Sequence, residues 1–338
     1  MKRYLALLLI VIIVIILVGA YLYIQKPQQS LEVYTADAYV AEANHLLSGF
    51  KNATGSRIND AKGGGSYTLA SEIGQGDPAN VFISVALNTY ERQYLGPRYS
   101  GWAIAFAADS LVIAYNNATL SSAARSIVSE FEEASASHST ADYAAAFINL
   151  TSGMVKVGIS DPSSDPAGLR AMISLEIAGY LYHNGDSSYY LDRIQSGSII
   201  SSASNAAELV SPLVEGSISF LYIYRSSAIS EGLGYITLPQ QLNFGNASLA
   251  PFYSNFSYAT ATGNQTGSPV FLFISALANG SLHEEAMNFV SYVINNSAQM
   301  SAFGMEELKS ALLYTNVTVP SCLEIMVSEG KLSTAGYL

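Results

Sequence analysis

The 338-residue chain has a single cysteine, Cys322. A disulfide framework and a thiolate metal cluster both need more than one sulfur, so neither is available. Histidine is nearly as sparse: His45, His138, His183 and His283 stand far apart, without the short spacings that bring two imidazoles to one metal. Charge is low too, at 12% of residues, with a balance of −11. Nucleic acid needs a basic surface, so that class of partner is excluded. The same deficit removes any long-range funnel for small anions. An anion would have to be held locally, by oriented N–H and O–H dipoles. Also missing are a Gly-x-Ser-x-Gly elbow, a His-Glu-x-x-His helix and any Ser-His-Asp or Cys-His set. Asp161 and Asp165 could be imagined as paired carboxylates, but a proline follows each, which marks them as turn and cap residues. The chain is expected not to be an enzyme, and to need no cofactor and no resident metal.

What is present begins with a long apolar run. Met1-Lys-Arg is followed by Tyr4–Ile24, almost unbroken in its hydrophobicity, and about 20 such residues span a bilayer. Gly19-Ala20 runs directly into Tyr-Leu-Tyr-Ile, a poor context for cleavage, and no cysteine lies nearby to carry a lipid. An uncleaved membrane anchor is expected, with 25–30 as linker and the basic start holding the N-terminus inside and the body outside. Asparagine usage agrees with an exported body. Nine asparagines fit the Asn-x-Ser/Thr acceptor pattern: Asn52, Asn117, Asn149, Asn246, Asn255, Asn264, Asn279, Asn295 and Asn316. With abundant tyrosine and scarce lysine, these features have the look of a glycosylated archaeal cell-surface protein.

The body alternates apolar strands with amphipathic helices, which predicts an α/β fold with mainly parallel sheets. Strands are expected at 31–34, 80–85, 102–107, 111–115, 154–158, 220–225 and 269–276. Helices are expected through about Phe50, after Ser66, over 126–147 and 169–182, from Ala203, and over 284–294 and 299–303; 247–268 reads as an exposed loop or hairpin. Two loops stand out. In Gly158–Arg170, Asp165 is placed as the N-cap of a helix with Pro166 at its first position, so the N–H groups of Ala167, Gly168 and Leu169 face outward. In Ala61–Ile73, three glycines end in Ser66 at a helix start, where backbone N–H groups and a hydroxyl can approach a ligand closely. Neither is a nucleotide P-loop, since no Lys-Ser/Thr follows the glycines.

Taken in order, Gly64-Gly-Ser66, Ala79-Asn-Val-Phe-Ile-Ser-Val85, Ser160-Asp-Pro-Ser-Ser-Asp-Pro-Ala-Gly168, Phe220–Ala228 and Leu233–Pro239 resemble the archaeal molybdate/tungstate-binding proteins of ABC importers. Those have the type II periplasmic-binding-protein fold. The resemblance covers roughly 31–315 and implies two lobes with an oxyanion in the cleft between them. On these positions it implies Ser66 as a hydroxyl ligand with Gly65 beside it, Ala167 and Ala206 as backbone donors, and Tyr224 as a phenol donor. Asp165 stands at the family's aspartate, which touches the metal centre of the cargo. Two departures matter. Asp37-Ala38 replaces the family's Gly-Ser pair in the first loop, so Ala38 and the 37–39 backbone would have to substitute. Ile223 replaces the glutamate before the tyrosine, which points to a simple tetrahedral anion held by neutral hydrogen bonds.

The expected organisation is an anchor and linker over 1–30, one lobe from 31–108 plus 229–338, and a second from 109–228, hinged around 107–115 and 226–238. The expected function is a monomeric solute-binding protein, tethered outside the membrane, that delivers molybdate or tungstate to an ABC permease. The same fold carrying sulfate, phosphate or another anion is one alternative. A glycosylated surface-coat or adhesion protein with no small ligand is the other.

Overall fold

Strands Val33–Ala36, Val81–Ser84, Trp102–Ala108 and Phe271–Ala276 are buried at every position, because the sheet they form is covered on both faces. Alternate side chains go to opposite sides of a strand. Val33, Ile83, Ile104, Phe106, Leu272 and Ile274 enter one core, against helices Val40–Thr54 and His283–Asn295. Tyr34, Phe82, Ala103, Ala105, Phe271 and Phe273 enter a second, against helix Ser66–Gly74. This two-sided burial is why the strands read as continuous apolar runs.

The computed structural model describes residues 30–196, 200–261 and 263–338, and Leu31–Leu338 cluster as one unit. In chain order the strands are β1 (Val33–Ala36), β2 (Lys62–Gly64), β3 (Val81–Ser84), β4 (Trp102–Ala108), β5 (Leu111–Tyr115), β6 (Val157–Gly158) and β7 (Ile200–Ser201). They continue with β8 (Phe220–Tyr224), β9 (Gly234–Thr237), β10 (Ser257–Thr260), β11 (Gly263–Thr266), β12 (Phe271–Ala276), β13 (Glu306–Thr315) and β14 (Leu332–Gly336). Two sheets result, a seven-stranded one of order β14-β13-β4-β12-β3-β1-β2 and a five-stranded one of order β7-β6-β8-β5-β9, with β10-β11 as a separate hairpin. Helices Ser122–Ser137 and Pro166–Tyr182 pack on the smaller sheet.

The α/β expectation meets a mixed topology rather than mainly parallel sheets. Five pairings in the two sheets are parallel and five antiparallel. The antiparallel ones arise where the chain changes lobe, because β12 enters the large sheet against the shared direction of β1, β2, β3 and β4, β13 then runs against β4, and β5 enters the small sheet against β8 and β9. The lobe boundary also moves. β9 pairs with β5, so 229–268 stays with the smaller sheet instead of returning to the larger one. The chain crosses at Asp109-Ser110 and again at Ser268–Val270, and Asp109 N–H donates to the Val270 carbonyl at 3.0 Å to tie the crossings together.

Locally, the helix expected over 126–147 is two helices, Ser122–Ser137 and Thr140–Leu150, broken by His138 at φ 52°. The Ser139 hydroxyl caps the second by accepting from Asp142 N–H. From Ala203 the chain makes only a short turn at Ala207–Leu209 and the five-residue helix Val210–Val214. The hairpin expected within 247–268 is β10-β11. All nine candidate glycan asparagines are partly or fully exposed. Among the described residues no helix is long and apolar enough to cross a membrane; the run 4–24, on which the expected anchor rests, lies outside them.

Candidate functional site

Ligand clefts in open α/β sheets form at the carboxyl ends of parallel strands, and here two such sets of ends face each other. β1, β2 and β3 deliver Asp37, Gly65 and Val85; β6 and β8 deliver the 159–165 loop and Tyr224. The lobes are closed on one another. Arg170 of the smaller lobe donates to the Val85 carbonyl at 2.9 Å, Asn88 donates to Gln265 Oε1 at 2.8 Å, and the Tyr39 and Tyr224 rings lie 5.6 Å apart. Gly65 is needed for the approach, since a Cβ there would stand 2.7 Å from the Ser164 carbonyl oxygen. A cavity of about 220 Å³ lies between the lobes, lined in part by Tyr67, Asn88, Pro166, Leu169, Arg170 and Gln265.

Arg170 is the main cation of this cleft. It is buried at 4% exposure, held by the Val85 and Pro269 carbonyls at 2.9 and 3.0 Å and the Ser268 carbonyl at 3.3 Å. Its remaining arm donates to Tyr224 Oη at 2.8 Å. Among the described residues no carboxylate lies within ion-pair distance of it, so the buried charge is carried by neutral acceptors alone. Tyr224 accepts from the guanidinium, which polarises its own O–H, and that proton has no acceptor among the described residues. Burial keeps the phenol protonated by raising its pKa.

Ser66 opens its helix with Gly65 as N-cap, and its Oγ is buried without a hydrogen-bond partner. Ser160 Oγ is also buried, close to the first turn of Pro166–Tyr182, and leans toward the Asp165 carboxylate, whose ionised form it favours. Asp165 caps that helix as expected, accepting from Ala167 N–H at 3.1 Å, and its other oxygen accepts from Ala206 N–H at 2.8 Å. Ala167, Ala206 and Asp165 are therefore together, and Tyr224 lies near enough to Asp165 for their charges to interact. Burial raises the Asp165 pKa against the lowering effect of those two N–H groups. Ala38 is tied elsewhere, its carbonyl accepting from Ser227 Oγ at 2.8 Å. Asp37 Oδ1 sits where a Gly63 side chain would begin, and its pKa is raised by burial and by Glu208 of the other lobe. Ile223 is a core residue of β8, opposite Val112. Sequence reasoning missed Arg170 and Ser160 as site residues. The available signal was an arginine among the apolar positions of its helix.

Residues 31–302 match the model of the bacterial extracellular solute-binding proteins. The chain belongs to that family. An uncharacterized solute-binding protein of Saccharolobus solfataricus is 35% identical over 317 residues, covering 91% of this chain and 78% of the relative. The molybdate/tungstate-binding protein of Thermococcus kodakarensis is 23% identical over 236 residues, covering 64% and 63%. Among solved structures, the periplasmic molybdate-binding protein of Azotobacter vinelandii aligns with a TM-score of 0.58 at 16% identity, over 82% of this chain and 98% of its own. The sulfate-binding protein SubI of Mycobacterium tuberculosis aligns at 0.55 and 11% identity, over 91% and 93%. At such identities the structural likeness establishes the two-lobed mixed α/β fold.

Behind the cleft, the crossings between the lobes of this solute-binding protein hold buried acids. Asp109 Oδ2, at the first crossing, accepts from Tyr39 Oη at 2.9 Å and Ser226 Oγ at 2.6 Å, and Ser110 N–H donates to Oδ1 at 2.7 Å. Burial pushes its pKa up to about 6. Glu42, on the larger lobe's first helix, is fully buried, and burial pushes it up to about 7 against the lowering effect of its backbone N–H and the Ser226 hydroxyl.

Proposed function

We propose that this chain is the extracellular binding component of an ABC importer and that its cleft carries a tetrahedral oxyanion, molybdate or tungstate. The observation that carries the reading is Arg170, a buried cation with no carboxylate partner that feeds a hydrogen bond into Tyr224. The unclaimed Tyr224 proton and the unpartnered Ser66 hydroxyl supply donors beside it, with the Ser160 hydroxyl on the Asp165 side. A small anion held this way is bound by dipoles in a dry cleft, which suits a chain with little surface charge. Closure of the lobes around the crossings at 109–110 and 268–270 then removes it from water. The names of the Thermococcus and Azotobacter proteins support the cargo. Exposed glycan acceptors and the organism of the 35%-identical relative support an archaeal cell surface, with 4–24 as tether and the protein a monomer serving a permease.

A second reading, sulfate or phosphate in the same cleft, draws on Ile223: a β8 core residue supplies no carboxylate to expand a metal's coordination. The SubI likeness fits it as well. Thermal shift of the full-length protein with molybdate, tungstate, sulfate and phosphate side by side separates the readings. A ligand at 100 times its dissociation constant adds about 2.7 kcal/mol of stability. A shift with molybdate and tungstate alone supports the first reading and a shift with sulfate or phosphate alone the second. No shift with any of the four leaves a surface-coat role.

A further inference from the structure

A second hollow, of about 1160 Å³, opens against the first crossing, at Asp109 and Ser110, and Asn246 stands in its wall. The smaller lobe lines it with Tyr143, Tyr182, Tyr235, Gln241 and Asn243, and the start of β13 in the larger lobe adds Glu306 and Glu307. The Tyr143 and Tyr182 rings are stacked, with centroids 5.1 Å apart. Sugars offer their C–H faces to aromatic rings and their hydroxyls to planar amides and carboxylates. Asp109, Glu306 and Glu307 stand against the guanidinium of Arg225 in this lining. Like charge disfavours an anion here, whereas a neutral polyhydroxyl chain meets no such penalty. Asn246 opens one of the nine Asn-x-Ser/Thr triplets, and hydrogen bonds orient its side chain. Oδ1 accepts from Ser248 N–H at 2.9 Å and from Ser248 Oγ at 2.7 Å, while Nδ2 donates to Gln240 Oε1 at 2.9 Å. An amide nitrogen carries two hydrogens, so replacing the second by carbon leaves all three bonds in place. In the triplets of Asn52, Asn117, Asn149 and Asn295, the hydroxyls of Thr54, Thr119, Thr151 and Ser297 go instead to backbone carbonyls.

We propose that Asn246 carries an N-linked oligosaccharide and that this glycan lies in the hollow, bracing the two lobes at their crossing. This rests on the extracellular reading. The sugar comes from an oligosaccharide linked to a lipid phosphate, delivered by a transferase. The bond from Asn246 Nδ2 to the anomeric carbon forms as the bond from that carbon to the phosphate oxygen breaks. The phosphate keeps the electron pair, and the displaced amide proton passes to a base of the transferase. The volume takes several sugar rings. Their faces rest on Tyr182 and Tyr235, and their hydroxyls meet Gln241, Asn243, Glu306 and Glu307. Tyr235 belongs to β9 of the five-stranded sheet and Glu306 to β13 of the seven-stranded one, so one seated chain holds both lobes.

The test uses the full-length protein made in archaeal cells that N-glycosylate and again in bacteria that do not, as wild type, Ser248→Thr, Ser248→Ala and Asn264→Gln. Peptide mass spectrometry of the archaeal product is expected to find a glycan on Asn246 in wild type and Ser248→Thr, and none there in Ser248→Ala. Thermal unfolding reads the brace. The drop in melting temperature from wild type to Ser248→Ala is expected to be at least about 2 °C larger in the archaeal product than in the bacterial one. The bacterial pair accounts for the lost serine hydroxyl itself. Asn264→Gln, which removes an acceptor on the exposed β10-β11 hairpin, is expected to shift melting by less than about 1 °C in either product. A bare Asn246 beside glycans on other triplets overturns the proposal and leaves the extracellular reading standing. Bare asparagines at all nine overturn the proposal and the glycoprotein reading together. A glycan on Asn246 whose removal shifts melting equally in both products overturns the brace.

Discussion

Glu42 makes the stability of this protein fall as the medium becomes more alkaline. Its carboxyl is fully buried beside Asp109; its own backbone N–H and the Ser226 hydroxyl favour the ionised form, but burial outweighs them. Burial raises its pKa from 4.5 to about 7. Between those values the folded chain holds a proton that the unfolded chain has released, so unfolding becomes easier as pH rises. The associated stability is fully present below about 4.5 and lost once pH has passed about 7. At about 1.4 kcal/mol per pKa unit, the loss attributable to Glu42 is about 3 kcal/mol. Glu42→Gln keeps the shape and removes the titration. The measurement is urea denaturation of wild type and variant followed by circular dichroism from pH 4 to pH 9. At pH 4 the two should agree within about 1 kcal/mol, and at pH 8.5 the variant should be more stable by about 3 kcal/mol. Asp109, raised from 3.8 to about 6 by the same burial, leaves the variant a residual slope at lower pH. A wild-type-minus-variant difference that stays constant from pH 5 to pH 8 would refute the reasoning. It would mean that Glu42 is ionised in the folded protein throughout.

Further tests address the cleft. Arg170→Met keeps an apolar stem but strands the Val85, Pro269 and Tyr224 acceptors, and should destabilise the protein by about 2–4 kcal/mol and abolish the anion-induced thermal shift; denaturation and thermal shift together check this. Gly65→Ala puts a methyl 2.7 Å from the Ser164 carbonyl, so the lobes should stay apart. Small-angle scattering should report a larger radius of gyration, and anion affinity should drop at least about tenfold while the melting temperature changes little. Ser66→Ala removes a buried hydroxyl with no partner. Stability without ligand should hold or rise by up to about 1 kcal/mol while affinity falls roughly tenfold, two effects of opposite sign that a merely structural serine does not give.

The chain's own sequence determined its local chemistry. The continuous apolar runs of β3, β4 and β12 announce strands covered on both faces, because only a two-sided core tolerates apolar residues at every position. The Asp165-Pro166 pair announces a capped helix start, since an aspartate acceptor and a proline without an N–H suit those two positions and few others. Tertiary structure alone decided what those pieces meet. Whether a strand runs parallel or antiparallel depends on which lobe it returns to, so the mixed sheets, the place of β9 on β5 and the second crossing at Ser268–Val270 were not legible in periodicity. The role of Arg170 was hidden for the same reason: its acceptors at Val85, Tyr224 and Pro269 lie 54 to 99 residues away along the chain. Burial, likewise, is a property of the assembled lobes. It turns Glu42, in sequence one more acid near a helix start, into the group that ties stability to pH, and it brings Asp165 against the Ala206 N–H, 41 residues along the chain.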